Sequence, residues 1–207
     1  MEQNQHRQPP ELSKGLSAKA IQEAERQTGL STHSLCDQLV VGQFERLGVR
    51  MRIAARQNIF IENDPMDSIY MLSRGFACLY KASPCGRRRI VGFALPGDFL
   101  VSLLSPHYAY SADATGNTVV YRFPYDRFLS FLCSNPQISY YMLKSVSREL
   151  DRVRDQICLV GSGSAEERLV EFLIGWRRRL ARGRIPSNTL PLPMTRYDIA
   201  DFLGLGG

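Results

Sequence analysis

The feature that most constrains this chain is an apolar repeat in its second half. Apolar side chains recur there at intervals of three, four, three, four and three residues: Leu143, Val146, Leu150, Val153, Ile157 and Val160. This is the a/d spacing of a two-stranded coiled coil, and it predicts a continuous helix over residues 136–160 that forms a parallel homodimer. In that register Glu149 is a g residue and Arg154 the following e residue, so opposite charges meet across the interface. The alternative is a single helix whose apolar stripe packs on its own sheet.

The sequence before residue 125 has the pattern of short strands rather than of helices. Short runs rich in β-branched and aromatic residues alternate with turn sequences such as NDPMD, SRG and TGN, which favours an antiparallel sandwich or barrel. The runs are RMRIAA, IFIE, SIYMLS, FACLYKA, RRIVGFAL, YSADA and TVVYRF. The polar N-terminal stretch predicts a flexible tail, and SAKAIQEAERQ can form a short helix. The expected fold class is therefore α+β, with the strands first and the helices after them.

Composition excludes several classes of protein. The 207 residues carry a formal net charge of +6, which favours a polyanionic partner. The cysteines and histidines are too scattered for a zinc ribbon, a thioredoxin-type pair or an enzyme metal site. They are Cys36, Cys78, Cys85, Cys133 and Cys158, with His6, His33 and His107. No signal peptide or membrane span is visible, so we expect a soluble cytoplasmic protein that is not an enzyme.

Two helix-start signals follow the apolar repeat. After GSGS at 161–164, which predicts a hinge, Ser164 and Glu167 have the spacing of a capping box. The next helix has an apolar face of Leu169, Phe172, Leu173, Trp176 and Leu180, and its polar face is predicted to carry Arg177, Arg178 and Arg179.

The second start signal is Thr195 with Asp198, followed by apolar Ile199 and Leu203 and by Gly204. This stretch is typical of the first helix and turn of a helix-turn-helix. Any capped amphipathic helix that ends in glycine fits the stretch as well.

Five segments, in order, resemble the CRP/FNR family of bacterial transcription regulators, and within it the FixK-like branch. They are IFIENDPMDSIYMLSRGFACLYK, GRRRIVGFALPGDF, RELDRVRDQICLVG, AEERLVEFL and LPMTRYDIADFLGL. The resemblance implies a β-roll (jelly-roll, cyclic-nucleotide-binding-like) sensor domain over residues 36–135 and a dimerisation helix with its hinge over 136–163. It implies a winged helix-turn-helix over 164–207, and residues 1–35 are then the N-terminal tail.

The same resemblance implies a homodimeric activator of low-oxygen, nitrogen-fixation or denitrification genes. Its partners would be a palindromic promoter site and RNA polymerase. Thr195 and Arg196, at the start of the first motif helix, are predicted to contact DNA phosphates. The recognition helix would follow Leu205, where the sequence has only Gly206 and Gly207, so the motif is interpreted as incomplete. The alternative function is accordingly a truncated interaction protein that dimerises, no longer reads DNA and inhibits full-length partners.

Relatives that bind cyclic AMP use a Gly-Glu and a later Arg-Ser or Arg-Thr. The matching positions here are Gly97-Asp98 and Tyr110-Ser111, and residues 90–121 contain no lysine or arginine. A buried phosphate without a cation is costly, so we predict a vestigial effector pocket that does not bind the nucleotide. An iron–sulfur cluster requires about four thiolates, and the N-terminal region supplies only Cys36.

We therefore expect no cofactor, haem included. The remaining candidates for a signal-sensing group are two thiols, Cys85 beside three arginines and Cys158 near the hinge. The alternative is that both are ordinary cysteines.

Overall fold

In the computed structural model the described residues are 42–44, 46–83, 86–100, 105–161, 163–182 and 189–205. Among these residues, eight strands precede four helices, and residues 42–44 and 46–47, before the first strand, are also helical. The strands are β1 Val49–Ile53, β2 Asn58–Phe60, β3 Ser68–Arg74, β4 Ala77–Ala82, β5 Arg88–Ala94, β6 Phe99–Leu100, β7 Ser111–Ala114 and β8 Thr118–Pro124. The helices are α1 Tyr125–Ser134, α2 Pro136–Gly161, α3 Ala165–Arg182 and α4 Arg196–Phe202. The predicted order, strands first and helices after, is confirmed.

The strands form two antiparallel four-stranded sheets. The first has the order β1-β8-β3-β6, and the second has the order β2-β7-β4-β5. Each of the seven β-rich runs contributes a strand. Strand β6 was missed because it follows the Pro96–Asp98 turn within an otherwise continuous apolar run. Helix α1 was also missed, because it begins directly after β8 without a polar break.

Alternation along the strands divides the apolar side chains between the two faces of each sheet. In β3, Tyr70 and Leu72 point into the space between the sheets, whereas Ile69 and Met71 point outward. The outward side chains of the first sheet are covered by Phe44, α1 and the start of α2. The outer face of the second sheet is covered by α3 and α4. The strand domain thus has an apolar interior and helices on both outer faces.

The break between α2 and α3 lies where the sequence predicts it. Helix α2 ends at Gly161, and Gly163 has a φ of 76°. The Ser164 amide then donates to the Glu167 carboxylate at 2.7 Å, while the Glu167 amide donates to the Ser164 hydroxyl at 3.3 Å. This reciprocal pair is the predicted capping box. In the described part of the chain, no helix is long and apolar enough to cross a membrane.

Candidate dimer face and DNA-reading segment

The apolar repeat lies on one exposed face of α2. Leu143 is 67% exposed and Ile157 is 68% exposed, and the other four members of the repeat are also exposed. Large apolar side chains on a monomeric surface are individually ordinary, but six in a row along one helix form a continuous seam. Val160 at the end of the seam lies beside Gly204, whereas the other five side chains are exposed among the described residues, and the predicted helix itself is confirmed.

The charged residues that flank the seam are paired within the helix. Arg152 forms an ion pair with Glu149, and Arg154 lies 3.0 Å from Asp151. Both are pairs three residues apart on one helix, a spacing that brings side chains together. The pairing of Glu149 with Arg154 across a dimer interface stays a prediction.

Helix α4 begins and ends as the sequence predicts for the first helix of a DNA-reading motif. The Asp198 amide donates to the Thr195 hydroxyl at 3.1 Å, and the Thr195 amide donates to the Asp198 carboxylate at 2.9 Å. At the other end Gly204 has a φ of 68°, and a Cβ there would lie 3.0 Å from a methyl group of Val160. Both the backbone conformation and the close approach of α2 therefore favour glycine. Gly206 and Gly207 lie outside the described residues.

Cationic side chains around this segment do not all face solvent. Arg196 is exposed and lies over the ring of Tyr197 at 5.1 Å. Arg177 and Arg178 are also exposed, as predicted. The prediction for Arg179 was wrong, because its guanidinium points inward and donates to the carbonyl of Phe93 at 2.7 Å. A side chain three residues from Trp176 shares its face of the helix, which the sequence reading overlooked.

Asp98 belongs to the predicted effector pocket, and its carboxylate is engaged by other groups of the protein. It follows Gly97, which has a φ of 91°, and its carboxylate accepts from the Leu95 amide at 3.0 Å. The same carboxylate lies 3.3 Å from Arg152 of α2 and 3.0 Å from Arg179 of α3. Asp98 therefore links the β-roll to helices α2 and α3.

The other half of that position lies against an aromatic stack. The Ser111 hydroxyl accepts from the Glu62 amide at 2.9 Å. Tyr110 packs on Phe60 with ring centroids 5.5 Å apart, and Phe60 stacks on Tyr108 at 4.2 Å. Burial raises the pKa of Tyr108, whose hydroxyl donates to the Ser68 carbonyl at 2.8 Å. The aromatic rings thus fill this part of the interior.

One cation, Arg122, lies near this stack, and it is already engaged. It donates to the Ser68 hydroxyl at 2.7 Å and pairs with Asp67 at 3.0 Å. A cyclic nucleotide needs both room for its base and a cation for its phosphate. Here Arg122 is engaged by Ser68 and Asp67, and Tyr110 packs against the aromatic stack.

Comparison with known proteins identifies the chain. Residues 50–135 match the cyclic nucleotide-binding domain family. The transcriptional activatory protein AadR of Rhodopseudomonas palustris is 47% identical over 163 residues, which are 79% of this chain and 68% of AadR. The nitrogen fixation regulation protein FixK of Bradyrhizobium diazoefficiens is 42% identical over 179 residues, which are 85% of this chain and 76% of that protein.

The chain belongs to the CRP/FNR family of transcription regulators. It falls in the FixK-like branch, and members of this family are not enzymes. The solved structure of FixK2 from Bradyrhizobium japonicum matches with a TM-score of 0.69 and 29% sequence identity, covering 76% of this chain and 78% of that one. The fold expected from the resemblance, a cyclic-nucleotide-binding-like β-roll followed by a long helix, is confirmed.

The thiols of this FixK-like chain occupy contrasting environments. Cys158 is exposed on α2 close to the hinge, whereas Cys85 lies outside the described residues. Cys78, which the sequence analysis did not select, is buried on the outer face of the second sheet. Burial raises the pKa of its thiol to about 11, although Arg88 opposes the shift. Among the described residues, no group of three or more His, Cys, Asp or Glu is arranged to hold a metal ion.

Proposed function

We propose that this FixK-like chain is a sequence-specific DNA-binding transcription regulator that acts as a homodimer. The observation that carries the proposal is the exposed apolar seam, which lies on the same helix that leads into the DNA-reading segment. A second copy packed along that seam buries it and gives the pair a two-fold axis. The proposed interface is then formed by Leu143, Val146, Glu149, Leu150, Val153, Arg154, Ile157 and Val160.

The two-fold axis determines the kind of DNA site. Residues 164–207 supply the DNA-binding unit of this proposal up to the first helix of its reading motif, and two full-length units related by the dimer axis, each with its recognition helix, read a palindrome whose half-sites are about one helical turn apart. Thr195 and Arg196 contact phosphates, because both lie on the exposed start of α4 and Arg196 supplies a solvent-facing cation. RNA polymerase is the protein partner, and the cytoplasm is the place of action.

The names of the relatives suggest the target genes. AadR is named as a transcriptional activatory protein, FixK as a regulator of nitrogen fixation, and a more distant relative as an anaerobic regulatory protein. We therefore assign this chain to the activation of nitrogen-fixation or low-oxygen genes.

Chromatin immunoprecipitation of the native protein from its own cells tests this function. The expected result is enrichment of palindromic sites upstream of such genes, with the gene-deletion strain as the background control. A strain that carries Arg196→Ala should show weaker occupancy at every site rather than a changed preference, because a phosphate contact carries no sequence information. Enrichment no greater than in the deletion strain would contradict the proposal.

The regulator works without bound cyclic AMP and without an iron–sulfur cluster. The support is the interior itself, where Tyr110, Tyr108 and Phe60 are stacked and Asp98 is engaged by two arginines. Calorimetric titration with cyclic AMP should show no binding in the micromolar range. Tyr110→Ala is the matched variant, since it removes the ring without supplying a cation, and it should also fail to bind. Micromolar affinity of the unaltered chain would refute this part of the proposal.

A further inference from the structure

The outer face of the second sheet is an internal docking surface. Cys78, Ile90 and Phe93 of β4 and β5 face Phe172, Trp176 and Leu203 of the C-terminal helices, and all six are buried. The Phe93 ring lies 6.1 Å from Trp176, at the edge-to-face angle that aromatic pairs prefer. The DNA-reading unit is thus packed directly against the β-roll.

A carboxylate of the β-roll fastens one side of this surface. Asp98 receives Arg179 of α3 and Arg152 of the dimer helix, and its side chain is only 22% exposed. Arg179 is similarly covered at 23% exposure, and it also donates to the Phe93 carbonyl. Burial lowers the pKa of Arg179, and the charge of Asp98 opposes that shift. Charge-assisted hydrogen bonds in such a shielded place are stronger than exposed ones.

A carboxylate of the DNA-reading helix fastens the other side. Asp201 of α4 accepts from the Ile90 amide at 2.5 Å and pairs with Arg89 at 3.1 Å. Among the described strands β5 lies at the edge of its sheet, so its outward amides face no neighbouring strand there. Asp201 therefore takes the place of a missing strand at that amide.

Helix α4 is at the same time held by α2 and α3. The Gln156 amide group donates to the Phe202 carbonyl, and Arg168 donates to the Leu203 carbonyl at 3.3 Å. Gly204 lies against Val160 of the dimer helix. The position of α4 is consequently defined by the β-roll on one side and by the dimer helix on the other.

We propose that Asp98 and Asp201 are positioning residues, two carboxylate clamps that fix the DNA-reading helix relative to the dimer helix by docking it on the β-roll. Two reading units match a palindrome only if their separation is fixed. That consequence for DNA rests on the proposed function, whereas the clamps themselves do not.

The chain contains two reporters of docking. Trp176 is its single tryptophan, and it is buried in the docked surface. Cys78 is buried beneath the same helices. Local opening that separates the helices from the sheet exposes both, and the rate at which a buried thiol is alkylated then measures how often the surface opens.

The experiment compares Asp98→Asn and Asp201→Asn in the full chain, with Asp151→Asn as the control. Asp151 also forms an ion pair of 3.0 Å, but it lies on the exposed surface of α2 away from the docking surface. Alkylation of Cys78 by iodoacetamide at pH 8 is followed by peptide mass spectrometry. Each clamp variant should react at least tenfold faster than the control, which corresponds to about 1.4 kcal/mol of docking free energy. Acrylamide quenching of Trp176 should increase in parallel.

Hydrogen exchange distinguishes undocking from general destabilisation. Exchange of β4 and β5 peptides should accelerate in the clamp variants, while β3 and β8 peptides stay as in the control. Equal alkylation rates in clamp and control variants would overturn the proposal. Equal acceleration of β3 and β8 would overturn it as well, because the carboxylates would then stabilise the whole domain. None of these measurements involves DNA, so a failure of the clamps is separate from a failure of the proposed function.

Discussion

Two neighbouring helices, α2 and α3, carry apolar faces with nearly the same spacing. One face is exposed to solvent, and the other is packed against the β-roll. The face of α2 is open to solvent, with Leu143 at 67% and Ile157 at 68% exposure. The face of α3 is covered from Phe172 onward, with Trp176 at 2% exposure, although Leu169 at its start is exposed, contrary to the prediction. Spacing of three and four residues therefore shows that a helix needs a partner surface, but it does not say which surface.

The difference comes from what the rest of the chain offers. Ile90 and Phe93, on the outer face of the second sheet, pack against α3. The apolar face of α3 is therefore buried against the same chain from Phe172 onward. Among the described residues, Gly204 lies beside Val160 at the end of the α2 seam, and the other five seam residues are exposed. The hydrophobic effect then favours burial against a second copy.

The largest expected effect is that of Trp176→Ala on the free energy of unfolding. The indole packs on Phe93 and Phe172, and its N–H donates to the Pro191 carbonyl at 2.8 Å. Truncation of a buried aromatic residue usually lowers the free energy of unfolding by about 3–5 kcal/mol. Urea denaturation monitored by circular dichroism should show a loss of this size.

The matched control is Val170→Ala on the solvent side of the same helix, where Val170 is exposed. Its effect should stay within about 0.5 kcal/mol, as is usual for surface substitutions. A similar loss for both variants would mean that the α3 face is not distinguished by docking.

Leu150→Lys tests the open face. A lysine at an a position puts an unpaired charge into the seam, so the dissociation constant of the dimer should rise about a hundredfold or more, roughly 2.7 kcal/mol. Sedimentation velocity over a concentration series measures the change. Asp155→Lys, on the outer side of the same helix in this register, should leave the dimer intact. An unchanged dimer in Leu150→Lys would show that the seam is not the interface.

The buried thiol of Cys78, which lies beneath α3 and α4, predicts that the stability of the fold depends on pH. Burial raises the pKa of Cys78 from 9.0 to about 11, so above pH 9 the unfolded chain loses this proton while the folded chain keeps it. The contribution of Cys78 to stability is therefore constant below pH 9 and falls between pH 9 and about 11. The loss should reach about 2 kcal/mol at the upper end.

Cys78→Ala should remove this part of the pH profile, whereas Cys133→Ala at an exposed site should not. Denaturant titrations from pH 8 to 11 measure the difference between each variant and the unaltered chain. A parallel profile for Cys78→Ala and the unaltered chain would show that the thiol is accessible in the folded protein.

Local signals made much of this fold predictable. The caps at Ser164 and Thr195, the glycine at 204 and the β-rich runs each depend on residues close together in the sequence. These residues determine backbone hydrogen bonds directly, and the structure reproduces them. The family could also be recognised, because five such local segments occur in one order.

Contacts between distant residues were not predictable. Asp98 and Arg179 are 81 residues apart, and Ile90 and Asp201 are 111 apart. Neither aspartate differs in sequence from an ordinary turn or helix aspartate, so nothing local indicates its partner. The same reason explains why Arg179 was assigned to the solvent-exposed face. Its direction is set by a carbonyl and a carboxylate on the β-roll.

The smallest expected effect concerns the charges beside the seam, and it tests the orientation of the dimer. In a parallel pair Glu149 of one helix faces Arg154 of the other, whereas an antiparallel pair does not bring these g and e residues together. Both residues are well exposed and already have partners on their own helix, so dimerisation exchanges one weak ion pair for another. Exposed pairs contribute about 0.2–1 kcal/mol, and salt reduces that contribution.

Glu149→Gln should therefore weaken the dimer by no more than about fivefold at low salt, roughly 1 kcal/mol, and by less at high salt. Sedimentation equilibrium of Glu149→Gln, Arg154→Gln and the double variant gives the coupling between the two sites. An absence of coupling between Glu149 and Arg154 at low salt would contradict the parallel packing of the seam.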